Sequence, residues 1–359
     1  MNFTLVGSYE AHPVLRRFAE GLRATLEAHG HQYAEERGRD LRLVFNFIDP
    51  ERPRPYRRRA KATFVVSVAL GSPGVEDVLR AAYPLLVRSL ANLVIYLVPE
   101  GEGWRTYFVT LEQGRYEVPG EGDVYFERVY ERLYPLATSQ LVIDNEFHPD
   151  LPEELWEGDA LTQKLSEAGR RLDALQLLPS PFPIEELLSP RDLRHVQRLY
   201  GIGGLSYGNL SVRKDATRFW MSASGVNKAN LRVIGRDILL VKGYDPVRNR
   251  ILLSVPPHIQ PRRVSVDAIE HWMIYTEHPS VGAIIHVHAW MQGIPSTEIN
   301  YPCGTLQLAK AVAELVRQAP DPARAVVGLK NHGITVTGPD LEDILERLER
   351  DIIRQVPMT

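Results

Sequence analysis

Apolar positions along the first third of the chain recur with two different periods. Residues 3–7 (FTLVG) form a short apolar run of the kind that makes a buried strand. Val14, Leu15, Phe18, Leu22 and Leu26 follow at helical spacing. Leu41, Leu43, Phe45 and Phe47 then alternate with their neighbours, which places them on one face of a strand. TFVVSVAL is a continuous apolar strand, VEDVLRAAYPLLVRSLANL is helical, and VIYLVP and WRTYFVTLEQ are strands again. Pro84 falls inside the helical stretch and is expected to kink or divide it, because it lacks an N–H and its ring crowds the preceding turn. Strands alternating with helices predict an α/β layered domain over residues 1–145, with no motif that assigns it a role.

The pattern changes over residues 146–187. A helical segment, LTQKLSEAGRRLDAL, leads into LLPSPFPIEELLSP, whose four prolines mark a linker. A second domain is expected over 188–359. It opens on a helix with Ser189 as N-cap, Pro190 at its first position and Gly201 as its stop. The short strands NLSVRK, RFWMSAS, DILLVKG and RILLSV follow, then a helix from Ser265 to about His278. GAIIHVHAW is a strand, LQLAKAVAELVRQA a helix, AVVGLKNHG a strand and LEDILERLERDIIRQV a final helix. Many short strands among helices predict a central, mainly antiparallel sheet flanked by helices.

Composition adds limits. The 359 residues favour two domains. A formal charge of −3 gives no general reason to expect nucleic acid or an anionic membrane as partner. RPRPYRRRAK places Arg52, Arg54, Arg57, Arg58 and Arg59 together. Two readings compete for it, an anion-binding patch and a solvated loop held extended by Pro53 and Pro55. With a single aromatic, Tyr56, among the arginines, the stretch lacks the interleaved series of a nucleic-acid surface, which favours the loop. The single cysteine, Cys303, excludes an intrachain disulfide and a cysteine zinc site, and fits a reducing compartment. The start, MNFTLVGSYEAHP, lacks the features of a signal peptide, and no run of about 18 apolar residues predicts a membrane span. The expected location is cytoplasmic.

The candidate chemistry lies in three places. In IIHVHAW, His286 and His288 are two apart on a strand and therefore project to one side. In LKNHG, His332 follows an apolar strand and precedes Gly333, which permits a tight turn and close backbone approach. In SVDAIEHW, Asp267 sits in the first turn of a helix expected to be capped by Ser265, one turn from His271. Each has an ordinary reading: paired core histidines, a loop histidine, an acid that complements a helix dipole. Together, three neutral imidazoles and a carboxylate make a donor set suited to Zn2+, with Mn2+, Fe2+ or Co2+ as alternatives.

GNLSVR, SASGV, the acid four residues before His271, HPSVGAIIHVHA and NHGITVTG occur in one order over residues 188–359. In that order and spacing they resemble the class II aldolase/adducin family. The resemblance implies a zinc ion on His286, His288 and His332, with Asp267 as a further ligand or as general acid/base. It implies substrate contacts at Ser206, Asn209, Ser224, Gly225 and Ser265, where sugar-phosphate members hold phosphate. Tyr301, with Glu298 nearby, is a loose candidate for the tyrosine that some members contribute to a neighbour's pocket. A homo-oligomer, commonly a tetramer, is also implied.

Three departures bear on function. Val266 stands where sugar-phosphate members carry a second small hydroxyl residue. The segment after His288 is short, and the chain ends soon after its last helix. The reading is therefore set at the intermediate. The enzyme would be a metal-dependent, aldehyde-lyase-type catalyst acting on a small hydroxy-carbonyl or sugar(-phosphate) substrate through a metal-stabilised enediolate, with Asp267 moving a proton. Retro-aldol cleavage is the default. Epimerisation, dehydration or decarboxylation on the same scaffold, and a non-catalytic adducin-like interaction module, are the alternatives.

Overall fold

The computed structural model describes residues 1–34, 40–60, 63–111, 114–120, 122–175, 184–200 and 208–359. Gly201 and Ser206 lie outside the described residues. The chain divides into two units. One comprises Met1–Thr138, Phe182–Val196 and Met358–Thr359, the other Ser139–Pro181 and Gln197–Pro357.

The first unit is built from β1 (Asn2–Gly7), α1 (Pro13–Ala28), β2 (Gln32–Tyr33), β3 (Leu41–Phe47), β4 (Phe64–Leu70), α2 (Val78–Arg88), β5 (Leu93–Glu100), β6 (Gly103–Thr110), β7 (Gly114–Val118) and α3 (Gly122–Thr138). Its sheet runs β2-β1-β3-β4-β5-β6-β7. The first five strands are parallel, and β6 and β7 add antiparallel at one side. Leu15, Phe18, Leu22 and Leu26 of α1 pack with Tyr125, Val129 and Leu133 of α3 on Phe3, Leu43, Phe45, Val66 and Ile95 of the sheet. β3 and β4 are apolar almost throughout because both their faces are covered. Helix α2 runs unbroken through Pro84, so the expected division does not occur. The arginine-rich stretch is a loop between β3 and β4. It is pinned where Asn46 donates its amide to the Arg54 carbonyl (2.8 Å), and Tyr56 packs on Leu41, Val44 and Val65.

The chain next supplies β8 (Asp144–His148) and α4 (Ala160–Ala174) to the second unit. It then forms α5 (Ile184–Leu187) and the start of α6 (Pro190–Tyr200) in the first, where the Ser189 hydroxyl caps the Asp192 N–H at 3.2 Å. It completes the second unit with β9 (Gly208–Arg213), β10 (Phe219–Ser222), β11 (Ile238–Asp245), β12 (Arg250–Ser254), α7 (Ala268–Glu277), β13 (Ala283–Val287), α8 (Leu306–Gln318), β14 (Val326–Leu329), β15 (Gly333–Gly338) and α9 (Leu341–Asp351). The eight-stranded sheet runs β14-β15-β13-β9-β10-β11-β12-β8. All neighbours are antiparallel except β12 and β8. The expected central, mainly antiparallel sheet with helices around it is therefore what forms.

Trp220, Met221, Leu239, Ile285, Val327 and Val336 carry the core of this sheet, with α4, α7, α8 and α9 contributing Leu165, Ile274, Val312 and Ile344. Asp159 caps α4, accepting from the Leu161 and Thr162 N–H groups at 2.9 Å, while the Thr162 hydroxyl takes the Asp159 N–H. The same carboxylate accepts from Lys214 (2.6 Å) and from the Trp220 indole (3.1 Å), tying the helix start to β10. Among the described residues no helix is long and apolar enough to cross a membrane.

Candidate metal centre

The centre of the second sheet places three strands side by side. In register, His286 of β13 stands between Asn209 of β9 and Thr335 of β15. Gly208 opens β9 with φ +126°, and a Cβ there would meet the His286 carbonyl oxygen at 1.9 Å. Only glycine lets the two backbones meet at this level. Gly333 plays the matching part on the other side, where a Cβ would lie 2.3 Å from the Val287 carbonyl oxygen. Asn331, just before His332, holds φ +56°, a left-handed conformation that asparagine tolerates better than most residues.

These constraints deliver three imidazoles to one place. His286 is near the end of β13, His288 lies just past it, and His332 lies in the turn between β14 and β15. Ring centroids are 5.2 Å apart for His286–His288, 4.8 Å for His286–His332 and 4.9 Å for His288–His332. One nitrogen from each ring lies within 4.8 Å of the others. His286 Nδ1–H donates to the Ile334 carbonyl at 3.0 Å, which fixes the tautomer and leaves Nε2 as a lone pair. That Nε2 is buried and has no hydrogen-bond partner among the described residues.

One pair of this donor set already has the spacing a shared cation requires. His332 Nε2 and His288 Nε2 are 3.2 Å apart. Two nitrogens sharing a tetrahedral zinc at about 2.0–2.1 Å would be separated by about 3.3 Å. Burial, then the neighbouring His332, His288 and His271, holds the His286 imidazolium well below its ordinary range, so the ring is neutral and available as a ligand.

Asp267 is buried but lies outside this group of ligand atoms. It occupies the N-cap position of α7 with no capping bond, because its carboxylate is turned to accept the Asn209 amide at 2.7 Å. Ser265 is therefore not the cap of this helix. The helix begins at Ala268, and the Ser265 carbonyl accepts the Ala268 N–H.

Near Asp267 are His271, already placed one turn away by the sequence, and two groups that the sequence did not single out, Glu270 and Lys228. Glu270, 2% exposed, accepts from the Thr335 hydroxyl at 2.5 Å. Burial, then Asp267, pushes its carboxyl up to about 8. His271 is fully buried with Nδ1 on the Ser211 hydroxyl (2.7 Å), which also meets the Tyr275 hydroxyl (2.8 Å), and burial lowers the imidazolium to about 3. Lys228 is buried beside the Ser224–Gly225 turn, donating to the Val226 carbonyl at 3.3 Å. Burial lowers its ammonium to about 8 against the pull of Asp267. The spacing of Glu270, one turn from Asp267, was a usable signal. Lys228 gave none, since a lysine in a turn is ordinarily solvated.

Asn209 joins the centre, as described. Ser224 is exposed, Gly225 turns the chain with φ +67°, and Ser265 is buried. The Ser224 N–H already donates to the Arg263 carbonyl (2.9 Å) and the Ser265 N–H to the Ser222 carbonyl (3.3 Å). Those two backbone donors are thus spent, leaving the hydroxyls. Tyr301 is half-buried against the second core and its hydroxyl has no hydrogen bond among the described residues. Glu298 is exposed.

Residues 194–297 match the family model described as the class II aldolase and adducin N-terminal domain. No curated protein matches the chain in sequence. Among solved structures the chain is similar to an L-fuculose 1-phosphate aldolase, at 17% identity over 54% of this chain and 82% of that one with a TM-score of 0.36. It is also similar to the L-fuculose-1-phosphate aldolase of Thermus thermophilus, at 19% identity over 52% and 84% with a TM-score of 0.33. An aldolase II superfamily protein from Pseudomonas syringae matches at 15% identity over 56% and 72% with a TM-score of 0.36.

Proposed function

We propose, from the match of residues 194–297 to the class II aldolase and adducin N-terminal domain, that the protein is a metal-dependent lyase-type enzyme for a small hydroxy-carbonyl or sugar substrate. The observation that carries the reading is the convergence of His286, His288 and His332, with the buried His286 Nε2 left as an unpartnered lone pair. A divalent cation held there supplies Lewis-acid polarisation of a carbonyl and stabilisation of the negative charge that develops beside it.

The chain's own residues do the rest. The Ile334 carbonyl holds the His286 ring in its tautomer. Asn209 holds the Asp267 carboxylate by one oxygen. Asp267 moves the substrate proton as general base and returns it as general acid. The hydroxyls of Ser224 and Ser265 are available to orient an anionic or hydroxylated end of the substrate. Since their backbone N–H groups are engaged, the phosphate need not be part of that substrate. Retro-aldol cleavage is the primary reaction proposed, and epimerisation, dehydration and decarboxylation draw on the same charge.

Two measurements test this on the full chain. The first is metal content after equilibration with Zn2+, Mn2+, Fe2+ or Co2+. The second is aldehyde release from a panel of sugar phosphates, free sugars and hydroxy acids. About one ion per chain, lost in His286→Ala, with turnover of some member of the panel supports the proposal. A folded chain that takes up no metal, or a loaded one that turns over nothing, overturns it.

A further inference from the structure

We propose that the first unit carries its own binding cleft for a neutral, polyhydroxylated ligand of sugar size, built on Trp104, Tyr125 and Phe126 and rimmed by Glu117, Arg105 and Arg17. This inference is independent of the metal centre.

The cleft measures about 900 Å³, which is within the range of small-molecule sites. It lies where β5 ends at Glu100, β6 begins at Gly103, β7 ends at Val118 and α3 begins at Gly122. That is the edge of the sheet to which the carboxyl ends of its parallel strands point, the side on which open α/β sheets receive ligands. The chain turns there through Gly101 (φ +57°) and Gly122 (φ +56°), and a Cβ at either would meet nothing within 4 Å, so the mouth is open.

The wall is aromatic and held in place. The Trp104 indole N–H donates to the Tyr125 hydroxyl at 3.2 Å, and that hydroxyl is anchored on the buried Thr106 hydroxyl at 2.5 Å. Phe126 crosses Tyr125 edge-on with ring centroids 4.9 Å apart. The half-buried Trp104 indole, held by the buried Tyr125 hydroxyl, is a platform whose cost of ordering has been met before a ligand arrives.

The rim selects the chemistry. Glu100 and Arg105 form an ion pair at 2.8 Å, and Arg17 donates to the Glu102 carbonyl at 3.0 Å while its guanidinium lies 5.4 Å from the centre of the Trp104 ring. A ligand cation would compete with a guanidinium already placed over the indole. A phosphate would face Glu100, Glu102 and Glu117 with only two arginines, one of them already paired. A neutral sugar adds no charge for the guanidinium or the carboxylates to repel. Its C–H face packs on an aromatic ring, and its vicinal hydroxyls both donate to carboxylates and accept from guanidinium forks.

Saturation-transfer NMR on the full-length His286→Ala chain tests this, using D-glucose, D-fructose and D-ribose as probes, with choline read in the same way and inorganic phosphate read by its 31P line width as the rival chemistries. Sugar C–H signals should appear, weaken at least tenfold on Trp104→Leu, and weaken severalfold on Glu117→Ala, an exposed position whose change leaves the fold intact. Absence of sugar binding, binding indifferent to both substitutions, or preferential binding of choline or phosphate would each overturn the proposal.

Discussion

The side-chain amide of Asn209 reaches the Asp267 carboxylate at 2.7 Å while the same residue stands directly across from His286 in the sheet. One residue therefore ties the proposed proton carrier to the proposed ligand strand. The two tasks can be separated by substitution. Asp267→Asn should lower turnover by about 10²–10⁴-fold. Asn209→Leu should lower it by about 10–100-fold, the worth of a hydrogen bond to a charged group. Both should keep their metal, as read by elemental analysis. Loss of the ion in either variant would show that Asp267 or Asn209 supports binding instead.

Metal should also stabilise the fold. Zinc at a hundredfold excess over its Kd adds about 2.7 kcal/mol to a protein that binds it only when folded. Thermal denaturation of the full chain should show that upward shift in Tm, and His332→Ala should abolish it. An equal shift in the variant would place the ion elsewhere.

Glu270 predicts a pH dependence of stability. Its folded value is raised from 4.5 to about 8. A carboxyl that binds its proton more tightly when folded contributes stability that is full below its unfolded value and is lost as pH rises through its folded one. Relative to Glu270→Gln, the natural chain should therefore lose stability between about pH 4.5 and 8. His271 acts in the opposite sense, since its folded value falls from 6.5 to about 3. Its burial costs stability at low pH, and the cost fades as pH rises from about 3 to 6.5. Urea titrations at a series of pH values measure both. A flat difference between the natural chain and Glu270→Gln across that window would contradict the first.

Asp159→Ala should destabilise the second unit by about 2–4 kcal/mol. It removes a helix cap worth about 1 kcal/mol and strands the Trp220 indole N–H in the core. Chemical denaturation followed by tryptophan fluorescence reads the loss. A change under about 0.5 kcal/mol would show that water replaces the carboxylate at little cost.

Much of the candidate site was legible because backbone periodicity does the aiming. Residues two apart on a strand share a face, so His286 and His288 were bound to neighbour each other, and the glycine after His332 announced the close turn that brings the third ring in. The orientation of Asp267 was not legible. A capping carboxylate and one turned inward have the same sequence signature, and the partner that decides between them, Asn209, lies 58 positions away. The burial of Glu270 has no sequence signature of its own, because an acid in the first turn of a helix is usually solvated.

In the first unit the strands β1, β4 and β5 announced themselves by continuous apolar runs, and β3 by the alternation of Leu41, Leu43, Phe45 and Phe47. Helix α3 did not, since Pro135 interrupts a spacing of four otherwise kept by Tyr125, Val129, Leu133 and Ala137. Strand β8 was invisible for another reason. DNEFH is polar because it is an edge strand, paired only with β12, and its side chains are largely open to solvent.

The path of the chain through its two units carries a practical consequence. Because β8 and α4 belong with the metal-centre unit while α5 and the start of α6 belong with the other, no single scissile bond yields both as whole pieces. A protein trimmed to begin at residue 194 would forfeit Leu165 and Leu172 from its interior and the ladder along β12. Limited proteolysis should accordingly leave nicked molecules that co-migrate until denaturant is added. Either half studied alone would have to be spliced from its separate segments across the excised parts of the other.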